Sequence, residues 1–408
     1  MSMTESLEKY AETLLRIGLN VQPGQKLVID APLSAANFVR IVTRLAYDIG
    51  ASQVHHEWWD DELALIRYRH APESSLGYYP EWRANGLAEY AENNAAFLFV
   101  QSPNPDLLKD VPADLIAKET RGRAAIRKRF LDYTRLHQVS WLIAAVPSPA
   151  WAARLFPGLP AEQGVAKLWD VVFKATRIDR DDPVGEWRKH LDTLHAKTSK
   201  LNAMRIRKLH YRAPGTDLYI ELPEKHIWLG GAKPNKSGTP FVANMPTEEV
   251  FTMPAKHGVN GIVRSTKPLN HGGSLIEDFS FTFKDGRIVD YRAGKGEDKL
   301  QTILDTDEGA SYLGEVALVP YRSPISLMDI VFYNTLFDEN ASCHLAIGNA
   351  YPSTLEGGVG LSPDQLKASG ANVSMTHVDF MIGSAELDID AELPDGSTVP
   401  LFRQGNWA

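Results

Sequence analysis

A histidine and an aspartate two residues apart form a candidate pair of metal ligands. His377 and Asp379 belong to the segment THVDFMIG, whose apolar content predicts a buried strand. Side chains at positions i and i+2 of a strand point to the same face, so this imidazole and this carboxylate can bind one ion together. Taken alone, the pair is more typical of a hydrogen-bonded core histidine beside a surface aspartate.

A second group of acidic and imidazole side chains follows the apolar run IVFYNTLF, which predicts a buried strand. Asp338, Glu339 and His344 lie in the next segment, DENASCH. On a regular α-helix, Glu339 and His344 would point about 140° apart. Both can therefore bind at one site only if the chain bends between them or if they approach from different sides. The alternative is a solvated loop that leads into a helix.

A third acid, Glu249, stands in the segment NMPTEEVFT. The run PTEE predicts the start of a helix or a tight turn, in which one of the acids Glu248 and Glu249 points inward and the other points to solvent. The alternative is that both acids complement the positive end of a helix dipole.

Glu315 is the most informative acidic residue, because it opens the otherwise apolar segment GEVALV. This segment predicts a buried strand. A carboxylate is costly to bury beside valine, alanine and leucine unless a cation compensates its charge. Glu315 therefore indicates a bound cation more strongly than any other single residue.

Together these segments supply hard ligands and no thiolate. The set contains four carboxylates and two imidazoles: Glu249, Glu315, Glu339, Asp379, His344 and His377. Such ligands suit divalent ions, for example zinc, cobalt or manganese. Two ions bound close together can activate water and polarise a carbonyl, and one carboxylate must then bridge them. The sequence therefore predicts a hydrolase whose C-terminal half holds two divalent ions.

Several other kinds of enzyme lack their signatures in this sequence. No G-x-G-x-x-G follows the strand-like run at residues 26–30, and neither G-x-x-x-x-G-K-[ST] nor G-x-S-x-G occurs. A dinucleotide fingerprint, a P-loop and a nucleophile elbow are therefore not indicated. The formal net charge of −8 argues against a nucleic acid as the main partner.

The composition favours a cytoplasmic protein. The single cysteine, Cys343, fits a reducing compartment and is expected to be a small buried residue. The first 20 residues are charged and amphipathic, without the apolar core of a signal peptide. No apolar run approaches the roughly 20 residues that span a bilayer, so we expect no association with a membrane.

The length of 408 residues favours two domains. In residues 1–202, strand-like runs at residues 26–30, 53–58, 96–100 and 141–146 alternate with helical segments. This alternation predicts an α/β domain with a largely parallel sheet. A long helix ends near Asn202, and short β-like segments with turns such as KDGR at residues 284–287 follow it. Residues 203–408 are therefore expected to form an α+β domain, rich in antiparallel sheet, that carries the metal site.

Four ordered segments also resemble one known family. NMPTEEVFT, LDTDEGA with GEVALV, FDENASCHLAIGNAY and HVDFMIG are similar to segments of the thermophilic-type metalloaminopeptidases, the family of aminopeptidases T, S and II. The resemblance runs nearly end to end and includes RIGLNVQPGQ and LFPGLP in the N-terminal half. It implies a homodimeric exopeptidase that removes N-terminal residues from peptides with two co-catalytic metal ions.

The resemblance also implies roles for individual residues. The metal ligands of the family fall on Glu249, Glu315, Glu339, His344, His377 and Asp379. Glu315 is the bridging ligand, and the active-site tyrosine falls on Tyr351. In the mechanism that we hypothesise, Glu315 or Glu339 relays a proton to the leaving amine, and Tyr351 donates a hydrogen bond to the oxyanion. Glu248 and Asp338 are candidates for binding the free amine of the substrate.

Two other functions would use the same ligands. A two-ion amidohydrolase or phosphoesterase would cleave a different bond, and a metal-stabilised binding protein would have no turnover. Amino-acid p-nitroanilides and phosphate esters, offered in parallel, separate the first alternative from an aminopeptidase. In a binding protein, Glu315→Gln would change the melting temperature without any activity to lose.

Overall fold

The computed structural model describes residues 2–271 and 274–408. These residues divide into two compact units. The first comprises the chain up to Leu191 together with Ala232–Pro246, and the second comprises Asp192–Gly231 with the described part of Thr247–Ala408. The boundary at residue 202 between two domains that fold independently remains a prediction.

The helices of the described residues are mostly short. In chain order they are α1 (Met3–Thr13), α2 (Ala36–Asp48), α3 (Asp61–His70), α4 (Glu81–Glu92), α5 (Ala113–Ile126), α6 (Lys128–Arg135), α7 (Pro149–Leu155), α8 (Ala161–Ala175), α9 (Pro183–Met204), α10 (Glu297–Leu304), α11 (Thr335–Asp338) and α12 (Pro363–Ala368). None of these described helices is both long enough and apolar enough to cross a bilayer.

The described residues form twenty strands. In chain order they are β1 (Lys26–Pro32), β2 (Gln53–Trp59), β3 (Ala96–Gln101), β4 (Trp141–Ala145), β5 (Lys208–Ala213), β6 (Thr216–Glu221), β7 (Lys233–Pro234), β8 (Pro240–Phe241), β9 (Asn244–Met245), β10 (Val250–Thr252), β11 (Val259–Arg264), β12 (Leu269–His271), β13 (Ser274–Lys284), β14 (Arg287–Lys295), β15 (Leu313–Leu318), β16 (His344–Gly348), β17 (His377–Met381), β18 (Asp388–Glu392), β19 (Thr398–Arg403) and β20 (Asn406–Trp407).

The first unit is built on a five-stranded sheet in the order β2-β1-β3-β4-β9. All neighbouring strands of this sheet pair in parallel. Most side chains of β1, β3 and β4 are buried, as expected for a parallel sheet that is covered on both faces. The predicted α/β fold with a parallel sheet is confirmed, and the four strands predicted for it are β1 to β4.

The second unit is dominated by antiparallel sheet. A nine-stranded sheet has the order β12-β13-β11-β6-β5-β18-β19-β20, with β14 paired to β13. A separate four-stranded sheet has the order β10-β15-β16-β17. The hairpin predicted at residues 284–287 joins β13 to β14. The prediction of a second region rich in antiparallel sheet is confirmed.

One apolar core supports both sheets of the second unit. The ring centroids of Phe279 and Phe281 on β13 lie 5.8 and 5.2 Å from that of Phe380 on β17. Contacts between aromatic rings of this kind contribute about 0.5–1.5 kcal/mol each beyond the burial of their area. All side chains of β15 and β16 are buried. The four-stranded sheet is therefore a firmly packed support for polar side chains.

The strand predicted for the apolar run IVFYNTLF is wrong. Its second half forms α11, and the residues before α11 have no regular structure. The Asn334 side chain accepts a hydrogen bond from the N–H of Leu336, which caps this helix, and Asp338 accepts hydrogen bonds from the N–H groups of Phe332 and Asn334. Asparagine and aspartate thus bind the local backbone in place of a neighbouring strand.

Candidate metal centre

The sheet β10-β15-β16-β17 brings predicted ligands onto one face. Glu315 lies on β15 and Asp379 on β17, and both pair with Ala346 of the strand between them. His344 precedes Ala346 by two residues, and His377 precedes Asp379 by two residues, so all four polar side chains share this face. The small side chain of Ala346 leaves space between them.

The other face of the same strands is packed into the core. The apolar side chains that alternate with the polar ones are Val316, Leu345, Ile347, Val378 and Phe380. Gly348 ends β16 with a φ of 104°, and a Cβ atom at this position would collide with the carbonyl oxygen of Thr376. Glycine is therefore required where the chain approaches His377, the first residue of β17.

Glu315 is central to the cluster. Its Oε1 atom lies 3.7 Å from Nε2 of His344, and its Oε2 atom lies 3.4 Å from Nε2 of His377. One carboxylate thus faces two imidazoles, with a different oxygen toward each. A carboxylate that bridges two ions needs this kind of position.

Each imidazole also lies beside a second acid. Nε2 of His344 is 3.2 Å from Oε2 of Glu249, and Nε2 of His377 is 3.3 Å from Oδ1 of Asp379. The ligand atoms of Glu249, Glu315 and His344 lie within 4.8 Å of one another, and so do those of Glu315, His377 and Asp379. Five of the six predicted ligands therefore form two adjoining groups that share Glu315.

Glu339, the sixth predicted ligand, reaches the same region from the short 3-10 turn Glu339–Ala341. Burial raises the pKa of its carboxyl well above its ordinary value, and the nearby carboxylates of Glu249 and Asp379 raise it further. The helix α11 ends before Glu339, and β16 begins at His344. The chain therefore bends between these two residues, and the separation that a regular helix would impose does not arise.

The charges of this cluster fit a bound cation. The side chains of Glu249, Glu315 and Asp379 are only 12, 6 and 12% exposed. Burial raises the pKa of Glu249 although the hydrogen bond to His344 lowers it. Neighbouring carboxylates in a buried place repel one another, and their charge is costly without compensation. Their oxygen atoms, together with imidazole nitrogen, are donors that suit divalent zinc, cobalt or manganese.

Backbone carbonyls orient both imidazoles. Nδ1 of His344 lies 3.0 Å from the carbonyl oxygen of Ser342, and Nδ1 of His377 lies 2.7 Å from that of Asn349. A carbonyl oxygen only accepts, so each Nδ1 carries the proton and donates it. Nε2 is then the ring atom that faces the carboxylates, which is the arrangement common among metal-binding histidines. Sequence reasoning missed these two acceptors, because a backbone carbonyl is common to every residue type.

The acids hold protons on the imidazoles in the metal-free protein. Burial lowers the pKa of His344, but hydrogen bonds to Glu249 and Glu315 outweigh this effect and raise the pKa well above its usual range. Asp379 and Glu315 raise the pKa of His377 in the same way against its burial. The protonated imidazoles thus supply part of the positive charge that the carboxylates need. A metal ion that binds here displaces these protons.

Tyr351 lies beside the cluster, directly before the 3-10 turn Pro352–Thr354. Its ring centroid is 4.8 Å from that of His377 and 6.2 Å from that of Phe251. The residue is 45% exposed, so a ligand can reach it from solvent. Desolvation and the carboxylates of Glu315 and Asp379 raise the pKa of the phenol well above its ordinary value. The hydroxyl therefore stays protonated and can donate a hydrogen bond.

The segment before β10 differs from its prediction. Residues 247–249 do not start a helix. Neither acid points to solvent, since Glu248 is 4% exposed and the Glu249 side chain is 12% exposed. The N–H of Glu248 donates to Oδ1 of Asn340, a fully buried residue next to Glu339, at 2.8 Å. Asn340 thus links the backbone next to Glu249 with the segment that contains Glu339. The sequence places this amide in the candidate ligand segment but does not indicate its partner, which lies 92 residues away along the chain.

Comparison with known proteins assigns the chain to a family of metalloproteases. The profile of the thermophilic metalloprotease family M29 matches residues 3–407. The chain belongs to the M29 family. The M29 match spans both compact units, in agreement with a resemblance that runs nearly end to end.

Relatives of this M29 chain are aminopeptidases. The chain is 49% identical over 404 residues to aminopeptidase 2 of Geobacillus stearothermophilus, which covers 99% of this chain and 98% of the relative. It is 43% identical over 402 residues to aminopeptidase T of Thermus thermophilus, with 98% of each chain covered. The structure of wild-type AmpT from Thermus thermophilus matches over 100% of both chains with a TM-score of 0.94 and 42% identity. The predicted family resemblance is confirmed.

Proposed function

We propose that this M29 chain is a metal-dependent aminopeptidase that removes N-terminal residues from peptides with a co-catalytic pair of divalent ions. The family and the aminopeptidase relatives support hydrolysis at a free N-terminus. The observation that carries the two-ion part is the position of Glu315. Its two oxygens face two different imidazoles, at 3.7 and 3.4 Å.

Two groups of residues would hold the ions. Glu249 and His344 form the first group with Glu315, and His377 and Asp379 form the second group with the same carboxylate. Glu339 would add a further carboxylate oxygen to the pair. Zinc, cobalt and manganese all suit these donors. When bound, the ions would polarise the scissile carbonyl and lower the pKa of water.

Glu339 is the proton relay in this proposal. Both oxygens of Glu315 are directed at imidazoles, so Glu315 is occupied as a bridging ligand. Glu339 lies on the 3-10 turn Glu339–Ala341, near the carboxylates of Glu249 and Asp379. One of its two oxygens can exchange a proton while the other remains a ligand. A carboxylate within hydrogen-bond reach of the leaving nitrogen can act as general acid. Glu248 remains a candidate for binding the free amine, whereas both carboxylate oxygens of Asp338 accept backbone N–H groups.

Tyr351 would stabilise the oxyanion that forms on the scissile carbonyl. Replacing it by phenylalanine removes only the donating hydroxyl and keeps the ring beside His377. We expect Tyr351→Phe to lower kcat about 10²- to 10³-fold, the range seen when one oxyanion donor is removed. KM and bound metal should change little. Steady-state kinetics and metal analysis check this, and an unchanged kcat would remove Tyr351 from the mechanism.

Three chromogenic substrates test the proposed function. Leucine p-nitroanilide has a free amine, N-acetyl-leucine p-nitroanilide lacks it, and p-nitrophenyl phosphate offers a different bond. We expect hydrolysis of the first alone, with loss of activity after chelation and recovery when zinc, cobalt or manganese is added. Turnover of the phosphate ester alone would favour a phosphoesterase. Metal binding without any turnover would favour a binding protein.

The assembly and the location are part of the same proposal. We expect a homodimer in the cytoplasm, acting on peptides, with neither nucleic acid nor membrane as a partner. The support for the homodimer is the family resemblance, the support for the location is the single cysteine, and the net charge of −8 argues against a nucleic-acid partner. Light scattering on the purified protein tests the dimer, since the measured mass should equal that of two chains.

A further inference from the structure

A cavity of about 150 Å³ opens beside the second group of proposed ligands. His377 and Asp379 form one side of this cavity, and Asn270, Tyr333, Asn334 and Asp338 contribute to the rest. All of these residues belong to the second compact unit. The cavity is therefore adjacent to the reacting bond in the proposed function, and its size is that of a single group and not of an extended chain.

A constrained turn carries Tyr333 into the wall of the cavity. Tyr333 has a φ of 53°, a left-handed conformation that is rare for a bulky residue. The carboxylate of Asp338 accepts hydrogen bonds from the N–H groups on either side, at 2.7 Å from Phe332 and 3.0 Å from Asn334. Strained backbone persists where surrounding bonds over-determine it, and it is concentrated at ligand-binding sites. The turn is thus fixed by the protein before any substrate binds.

We propose that this cavity receives the side chain of the first residue of the substrate, and that Tyr333 sets the largest side chain that fits. This inference rests on the proposed aminopeptidase function. Because His377 and Asp379 line the cavity, the side chain next to the scissile bond is the substrate group that lies within its reach. The residues after the bond need an open path, because the chain of the peptide continues there.

The lining of the cavity defines the class of side chain. Cavities of about 150 Å³ in other proteins admit a benzene molecule. Polar groups, including the amides of Asn270 and Asn334, form most of the lining, and Leu269 and Met381 add apolar surface. The cavity accordingly accepts uncharged first residues up to the size of phenylalanine and excludes the larger indole of tryptophan.

Asp338 acts as a positioning residue in this arrangement. Its two oxygens are engaged by backbone N–H groups, one each, so the carboxylate holds the turn. Aside from Asp379, which belongs to the ligand cluster, Asp338 is the carboxylate among the described lining residues. Lysine and arginine as first residues therefore gain no dedicated acid in this cavity.

The test uses p-nitroanilides of alanine, leucine, phenylalanine and tryptophan with the intact metal-loaded protein. Tyr333→Gly is the main variant, because glycine adopts the left-handed conformation without strain while it removes the side chain. Asp338→Asn loses one of the two backbone hydrogen bonds and provides an independent variant. Tyr321→Ala is the matched control, since Tyr321 is a 41% exposed tyrosine of the same unit and does not line the cavity.

We expect the wild type to prefer leucine and phenylalanine over tryptophan. In Tyr333→Gly, the ratio of kcat/KM for tryptophan to that for leucine should rise at least about tenfold, the scale on which pocket size discriminates. Asp338→Asn should shift the same ratio in the same direction, and Tyr321→Ala should leave it unchanged. A loss of stability alone would lower all rates together and would leave the ratio where it was.

Two results would overturn the inference. The first is a ratio that stays constant in both Tyr333→Gly and Asp338→Asn while the wild type is active. The second is that, in dipeptide substrates, Tyr333→Gly changes the preference for the second residue and not that for the first, which would place the second residue in the cavity. In both cases the aminopeptidase function itself stands. A wild type without turnover on any of these substrates would refute the proposed function, and the inference with it.

Discussion

Glu315→Gln is expected to lower kcat for peptide substrates by about 10³-fold or more, equivalent to about 4 kcal/mol of transition-state stabilisation. The carboxylate directs one oxygen toward His344 and the other toward His377. Glutamine offers one oxygen and an amide group that donates, so it cannot serve two cations at once. Metal content should fall from two ions per chain to one or fewer. Kinetics and elemental analysis of the purified variant measure both quantities.

The metal-free form of Glu315→Gln separates a ligand role from a structural role. Without ions, the substitution reduces the repulsion among the buried carboxylates, but it also removes the contacts of Glu315 with the protonated imidazoles of His344 and His377. Because these two effects oppose one another, the chelated variant should melt close to the chelated wild type. Glu386→Gln, at an exposed glutamate of the same unit, is the control and should match the wild type throughout. Full activity with two bound ions in Glu315→Gln would show that Glu315 is not the bridging ligand.

Removal of metal is expected to abolish activity and to lower the melting temperature by about 8–16 °C for each bound ion. Ligands that bind only the folded protein, present at 1,000 times their Kd, stabilise it by about 4 kcal/mol. For units of about 150–250 residues, each kcal/mol shifts the melting temperature by about 2–4 °C. The effect should be large here, because chelation leaves the acids around Glu315 with the protonated imidazoles of His344 and His377 as compensation. Calorimetry before and after chelation measures the shift.

Re-addition of single ions completes this experiment. Zinc, cobalt and manganese should each restore part or all of the melting temperature, and the ion that also restores turnover identifies the active form. The chelated Glu315→Gln variant should respond to added ions less than the wild type does. A melting temperature that does not respond to chelation in the wild type would show that no ion compensates the cluster.

Runs of apolar residues made the main strands of the first sheet predictable from the sequence. The runs at residues 26–30 and 96–100 give β1 and β3 because their apolar residues are buried in a parallel sheet. The fifth strand, β9, has only two residues, which is too short to show any periodicity. Its partner β4 lies about 100 residues earlier in the chain, so the pairing depends on tertiary contacts that no local pattern contains.

The residue types of the candidate site were predictable, whereas their arrangement was not. Glu315 could be identified because a carboxylate within an apolar strand needs compensation. The convergence of His344 and Glu339 depends on a bend between α11 and β16, and a regular helix would have separated the two. Within that bend, the side-chain amide of Asn340 donates to the carbonyl of Leu336, and the hydroxyl of Ser342 donates to the carbonyl of Gly383. Such bonds compete with regular structure in ways that hydrophobic patterns do not reveal.

Anomalous diffraction from crystals grown with zinc or cobalt would locate the bound ions. We expect two peaks, one among Glu249, Glu315 and His344 and the other among Glu315, His377 and Asp379, with Glu315 bound to both ions. A single peak that lacks Glu315 among its ligands, or peaks elsewhere in the protein and none in this cluster, would contradict this expectation.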